Sequence, residues 1–189
     1  RTILGLPEPW TEDEILKEFH FCNVYRELDR GTLYLIDNIL SQLADDELSK
    51  KNVLLNIMIY RLFVRIETYD EFGFLRLENW EEDWERCKRK LRERRAKKLP
   101  VFTDAYFVNA LRKANPDPAT RGNKTENAIC LIEHWKNKID EIYENGIVKP
   151  KNMKEQRDYF MSLMHVGKFT AYEWCCDIAI AERFTGVKM

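Results

Sequence analysis

The sequence predicts an all-α protein, and three observations carry that prediction. Seven glycines and six prolines in 189 residues supply little turn chemistry for a sheet and leave room for long helices. Polar residues placed to start helices recur along the chain, as Thr11 with Glu14, Asn79 with Glu82, and Asn152 with Glu155. No clear pair of strand-like segments appears, and there is no internal repeat or low-complexity segment.

Taken in order, Thr11 and Glu14 read as a capping box, with Trp10 able to staple onto Ile15. A helix over residues 12–30 would then end or bend at Gly31, ahead of an apolar stretch from Leu33 to Leu43. Residues 49–67 are apolar on most sides, which predicts the central helix. Gly73 breaks that pattern, and Asn79 starts a charged helix over 79–98 that Pro100 stops. Residues 101–113 are ambiguous in period and lean to helix. The polar stretch Asn115 to Asn123 reads as a loop. A helix from Thr125 to Tyr143 should stop at Asn145-Gly146, one capped by Asn152 should run to Met164, and a last one should run from Lys168 to Phe184. Seven or eight helices in one domain, residues 1–189, is the expectation.

Composition narrows the class. With 31 Lys and Arg against 32 Asp and Glu the net charge is −1, so a uniformly basic surface is excluded while a local basic patch is not. The apolar share of 44% supports a packed core. No apolar run approaches the ~20 residues that span a bilayer, so no membrane partner is expected. Five cysteines at irregular spacing, without a CxxC pair, predict reduced structural thiols and an intracellular protein. His20, His134 and His165 are widely spaced and lack a paired acidic motif, so no metal and no cofactor are expected. The chain starts at Arg1 instead of Met and shows no signal peptide, and a fragment or processed product is the expectation.

Nine basic residues lie between Arg86 and Lys98, behind an acidic run at 78–85. Acid first and base last suits a helix dipole on a solvated surface helix, and an anion-facing flank is the alternative.

Two constellations could carry chemistry. In Phe21-Cys22-Asn23-Val24-Tyr25-Arg26-Glu27-Leu28-Asp29-Arg30, helical spacing would put Cys22, Arg26, Asp29 and Arg30 on one face, and Asn23, Arg26 and Arg30 likewise. Such a face is either an ion-pair network or a polar site. The second runs from Phe160 to Tyr172 and reads as a helix–hairpin–helix at about 153–184. Its turn, with His165, Gly167, Lys168 and Thr170, would offer backbone N–H groups, a cation and a hydroxyl to a DNA phosphate. An ordinary helical turn with glycine near the C-cap is the plain alternative.

Five ordered blocks together resemble a known family: Pro9-Trp10-Thr11; Phe21 to Arg30; Tyr60-Arg61-Leu62-Phe63 with Arg65-Ile66-Glu67-Thr68; Val101 to Tyr106; and Val166 to Tyr172, followed by Asp177. The resemblance is to the α-glutamyl/putrescinyl thymine pyrophosphorylases, or amino acid:DNA transferases. It extends to the helical domains of 5-hydroxymethyluracil DNA kinases. It implies a fold similar to helix–hairpin–helix DNA glycosylases and a part in thymine hypermodification, mostly in phages. The implied reaction replaces the pyrophosphate of pyrophosphorylated 5-hydroxymethyluracil in DNA with an amine. The implied partners are double-stranded DNA containing modified thymine, an amino acid or polyamine co-substrate, and a 5-hydroxymethyluracil DNA kinase. The compartment would be the host cytoplasm for a phage protein or the nucleus for a eukaryotic one.

For such chemistry Arg26, Arg30 and Arg61 would hold pyrophosphate. Asp29 or Asp177 would take the proton of the attacking ammonium. Asn23 and Tyr106 would hydrogen-bond an extruded base, with Tyr25 also at the substrate. A noncatalytic DNA-binding module serving a kinase, or a monofunctional glycosylase, are the alternatives. The pattern departs from glycosylases at four places, the first being that Asp177 sits only ten residues after Gly167, closer than the usual glycosylase aspartate. His165-Val166-Gly167 stands where those hairpins read Gly-Val-Gly, and Phe169 replaces the Schiff-base lysine of bifunctional enzymes. Met189 follows soon after Asp177, where related folds continue with another helical stretch, so a truncated C-terminus is expected.

Overall fold

A computed structural model describes residues 13–15, 25–104 and 111–189. Among them are eight α-helices and no strand. They are α1 (Arg30–Asn38), α2 (Glu47–Phe63), α3 (Ile66–Phe72), α4 (Trp80–Ala96), α5 (Lys124–Asn137), α6 (Ile139–Tyr143), α7 (Met153–Ser162) and α8 (Lys168–Thr185). The all-α expectation holds; Asn23, Tyr106, Cys22 and the Thr11 cap lie outside the described residues.

Helix α2 is the centre, as its all-round apolar pattern predicts. Val53, Leu54, Leu55, Ile57, Met58, Ile59 and Phe63 are fully buried, and the helix packs against α3, α5, α6 and α8. Each such side chain contributes about 1.5–3 kcal/mol by leaving water. Two asparagines on this helix are buried and hydrogen-bonded through both ends of the amide. Asn56 donates to the carbonyls of Asn52 (2.8 Å) and Leu75 (2.7 Å) and accepts from Tyr69 Oη and Leu75 N. Asn52 accepts from Leu77 N and donates to Glu78. Together they clamp the 73–79 connection onto the core.

Several expected elements are corrected. The helix over 12–30 does not reach Arg30: Tyr25 and Asp29 are extended, and Arg26–Leu28 is a single 3-10 turn between them. Asp29 instead caps α1, accepting from Gly31 N (2.9 Å) and Thr32 N (3.2 Å). Arg26, Asp29 and Arg30 therefore do not share a helical face. The central helix ends at Phe63 because Val64 turns left-handed (φ 46°), so α3 folds back and Tyr69 and Phe72 pack on Tyr60 and Phe63. Residues 101–104 are not helical, and Arg112–Ala114 is one 3-10 turn. Thr125 to Tyr143 is not one helix but breaks at Lys138, and Asn145-Gly146 does not stop the chain. A π-helical turn, Glu144–Val148, carries it on. Gly146 is required there, since a Cβ would stand 2.6 Å from Phe160 Cε1 and 3.2 Å from Tyr159 Cδ1.

The Asn152 cap forms as predicted, accepting from Glu155 N at 3.0 Å, although α7 ends at Ser162 and not Met164. Asn79 precedes α4 but makes no capping bond; its amide donates to Glu82 and Asp83 instead. Asp83 is fully buried, and Arg76 and Arg86 close over it. Burial alone would push its carboxyl up, but the hydrogen bonds from Arg76 and Arg86 win and hold it well below the ordinary carboxylate range.

Gly146→Ala is expected to cost about 1–3 kcal/mol through overpacking against Phe160, read as a lower denaturation midpoint with an unchanged slope. Asp83 has a depressed folded pKa, so its stabilisation is complete above the unfolded aspartate value of about 3.9 and is lost as pH falls through the folded one. The stability gap between the wild type and Asp83→Asn should therefore shrink as pH drops below about 4 in urea melts. A gap constant with pH would contradict the ion-pair assignment.

Candidate functional site

Three elements bring four charged side chains together inside the fold. Arg61 comes from the last turn of α2, Glu173 and Asp177 from α8, and Arg26 from the 3-10 turn before α1. Asp177 has no exposed surface and accepts from Arg61 Nε (2.6 Å) and Nη2 (2.7 Å), a bidentate pair. Glu173 accepts both Nη1 (2.8 Å) and Nη2 of Arg26. Cross contacts close the quartet: Arg26 Nη2 lies 3.6 Å from Asp177 and Arg61 Nη1 lies 3.5 Å from Glu173. Two cations face two carboxylates, so the group is neutral as a whole.

Burial and pairing pull against each other at Arg61, Arg26 and Asp177. Burial opposes the Arg61 cation, but Asp177 outweighs it and the guanidinium stays firmly protonated. Arg26 is likewise raised, with burial opposed by its bonds to Glu173. Burial pushes the Asp177 carboxyl up, against the pull of Arg61 and Arg26. Side-chain exposure is 32% for Arg26 against 10% for Glu173, 7% for Arg61 and none for Asp177, so Arg26 is the member that meets solvent. Its Nε is buried and has no hydrogen-bond partner among the described residues.

The structure thus joins three of the sequence-derived site residues, Arg26, Arg61 and Asp177. It adds Glu173, which sequence reasoning missed. The signal was present: Glu173 and Asp177 are an acidic pair at i, i+4 on a helix whose neighbouring positions Ala171, Trp174, Ile178 and Ala181 are core. Arg30 and Tyr25 are exposed, and Asp29 is the exposed α1 cap already described. Tyr60 donates to Gly31 O (2.9 Å), tying α1 to the Arg61 turn, and burial raises its hydroxyl to about 12.

His165, Gly167, Lys168 and Thr170 sit at the turn between α7 and α8. His165 takes φ 64°, the left-handed backbone for which glycine is usual, while Gly167 is the extended N-cap of α8. Thr170 lies about 10 Å along the helix axis from Asp177, so turn and quartet are linked through one rigid helix. The basic segment of α4 is mostly spent inside the chain. Arg86 bonds Asp83 and two carbonyls, Arg92 bonds Glu126, and Arg94 joins Pro100 O, Glu67 O and Glu71. Cys87, Cys130, Cys175 and Cys176 are free thiols, with Cys175 pushed up to about 12 by burial.

Fold and site define an all-helical domain built round an internal, charge-balanced polar centre. The sequence family described as "5-hmdU DNA kinase, helical domain" matches residues 1–187, and the chain belongs to it. The "5-hmdU DNA kinase" of Bacillus phage SP10 is 49% identical over 187 residues, covering 99% of this chain and 29% of the relative. The chain therefore spans less than a third of that relative's length. No solved structure matches it, and no described helix is long and apolar enough to cross a membrane.

Asp177→Ala should cost about 3–5 kcal/mol, because Arg61 is left buried without its partner. Replacing both, as Arg61→Met with Asp177→Leu, should recover most of that loss in urea unfolding. Equal destabilisation of the single and double variants would show that the pair is not the unit.

Proposed function

We propose that this chain acts in thymine hypermodification as the DNA-handling helical domain that accompanies 5-hydroxymethyluracil kinase chemistry. The observation that carries the reading is the match of almost the whole chain to a helical domain named for 5-hmdU DNA kinase. The geometry supports it in two ways. Arg26 and Arg61 are already neutralised by Glu173 and Asp177, so the quartet organises the fold without presenting two free cations to a pyrophosphate. The α7–α8 turn, read as a helix–hairpin–helix, exposes Gly167 and Lys168 at the N-terminus of α8, where a DNA phosphate gains from amide N–H groups and a cation.

A second reading keeps catalysis in this chain: transfer of an amino acid or polyamine amine onto pyrophosphorylated 5-hydroxymethyluracil, releasing pyrophosphate. The unpartnered Nε of the half-exposed Arg26 favours it, since a leaving oxyanion would satisfy that donor. In this reading Asp177 or Asp29 receives the proton, and Asn23, Tyr25 and Tyr106 hold the base.

The two readings separate in one assay. Duplex DNA containing 5-hydroxymethyluracil is incubated with the chain, a 5-hydroxymethyluracil kinase, nucleotide and an amine mixture, and the nucleosides are read by mass spectrometry. The expected result is duplex binding that weakens with salt as a few phosphate contacts require, with a log–log slope of roughly 2–4, faster kinase turnover, and no amine adduct. An amine-dependent thymidine adduct with pyrophosphate release would replace this reading by the transferase. No duplex binding, no effect on the kinase and no adduct would sink both.

A further inference from the structure

A cavity of about 530 Å³ opens beside the 3-10 turn Arg112–Ala114 and is lined by Arg112, Lys113, Asn115, Pro116 and Arg121 among others. Its charge is of one sign. Arg112, Lys113 and Arg121 form no ion pair among the described residues, in contrast to the arginines Arg86, Arg92 and Arg94 of α4. Arg121 is held in place by carbonyls instead, donating through Nε to Asn115 O (2.9 Å) and through Nη2 to Pro116 O (3.0 Å). Asn115 itself is buried and fixed by Thr120, Asn127 and Asp117 N. Asp117 is the carboxylate near this rim, and its oxygens are engaged by Ala119 N and Thr120 Oγ1.

One lining residue, Lys113, also acts electrostatically on the α7–α8 turn. Lys113 stands close enough to His165 for its charge to help depress that imidazole, behind the larger effect of burial. His165 Nε2 is shielded from water and has no hydrogen-bond partner among the described residues. Three cations share one preformed concavity, and only Arg121 among them acts on a nearby carboxylate, Asp117, which describes a place suited to acceptor oxygens.

We propose that this cavity is a phosphate-binding site in which Arg112, Lys113 and Arg121 hold the anion. It rests on the DNA-handling reading for its preferred source, a backbone phosphodiester next to the one at the α7–α8 turn. Free pyrophosphate offers the same oxygens. A phosphate suits the site because its several acceptors can be shared between a guanidinium fork and a lysine point charge.

The test uses the full chain and two probes, a fluorescent duplex read by anisotropy and inorganic pyrophosphate read by titration calorimetry. The variants are Arg112→Ala with Lys113→Ala, and Arg121→Gln, which removes charge while keeping an amide to bond the two carbonyls. Arg95→Ala with Lys97→Ala, equal in charge loss on the exposed end of α4, is the control. The expected result is about tenfold weaker duplex binding and a salt slope smaller by about two for the Arg112/Lys113 variant, with the control near wild type. Unchanged duplex binding together with lost pyrophosphate binding would keep the site and assign it to the free anion. Equal losses in variant and control would overturn the site while leaving the DNA-handling reading intact. If the wild type binds no duplex, that reading fails and the pyrophosphate arm alone decides the site.

Discussion

Arg61 and Asp177 lie 116 positions apart and meet through two hydrogen bonds where almost no water reaches. A lone ion at that depth would be far costlier than any single apolar contact is favourable, so neither can be buried without the other. That requirement fixes the rotation of α8 about its own axis. Once Asp177 faces α2, Glu173 one turn earlier faces Arg26, Trp174 meets Trp135 and Phe160, and Ala171 and Ala181 fall into the core. The α7–α8 turn then points where the start of α8 leaves it. An ion pair of this kind adds less net stability than well-packed apolar residues of the same volume. Its effect is on registry, because a helix rotated by a third of a turn would leave two carboxylates and two guanidinium groups without partners.

The same accounting explains how a nearly neutral chain can still gather cations locally. The net charge of −1 is a sum over cations that do different work. Those of α4 are dense in sequence but mostly consumed: Arg86 satisfies a fully buried Asp83, Arg94 staples α3 to Pro100, and Arg92 joins α4 to α5. Clustering along a helix is therefore a poor guide to availability, since a helix sends its charges to several faces. Arg112, Lys113 and Arg121 are sparser in sequence, yet the backbone gathers them at one concavity. Lys168 stands at the head of α8, exposed on the turn that follows α7.

What the sequence made legible follows the range of the forces involved. The Asn152 cap, the Gly73 break and the all-round burial of α2 are local or nearly so, and they appear where the pattern puts them. The failures are tertiary. Asp29 looked like one member of a helical polar face, but its short side chain caps α1 and ends the preceding segment, a competition that spacing cannot reveal. Asn145-Gly146 looked like a stop, whereas the glycine is there because Phe160 comes too close for any Cβ. His165 stands where glycosylase hairpins carry glycine, and the backbone takes the left-handed region there without one. Glu173 was hidden because an acidic residue on a helix is ordinarily a solvated one. Its role depends on Arg26, which lies 147 positions away.

The charge balance of the quartet also orders the two functional readings. Pyrophosphate would enter a site where both guanidinium groups already hold carboxylates at hydrogen-bonding distance, so its arrival must displace a partner. Asp177 cannot be the one, because it is wholly enclosed and doubly bonded. Glu173 on Arg26 is the exchangeable contact, since Arg26 is the member open to solvent and already has a spare N–H. Such an exchange leaves Glu173 beside an incoming polyanion, a like-charge contact that opposes binding unless the carboxylate moves away or takes a proton. Transferase chemistry at this centre would thus require the quartet to open, whereas the proposed DNA handling asks for no change in it. The closed, compensated arrangement is the one the structure displays.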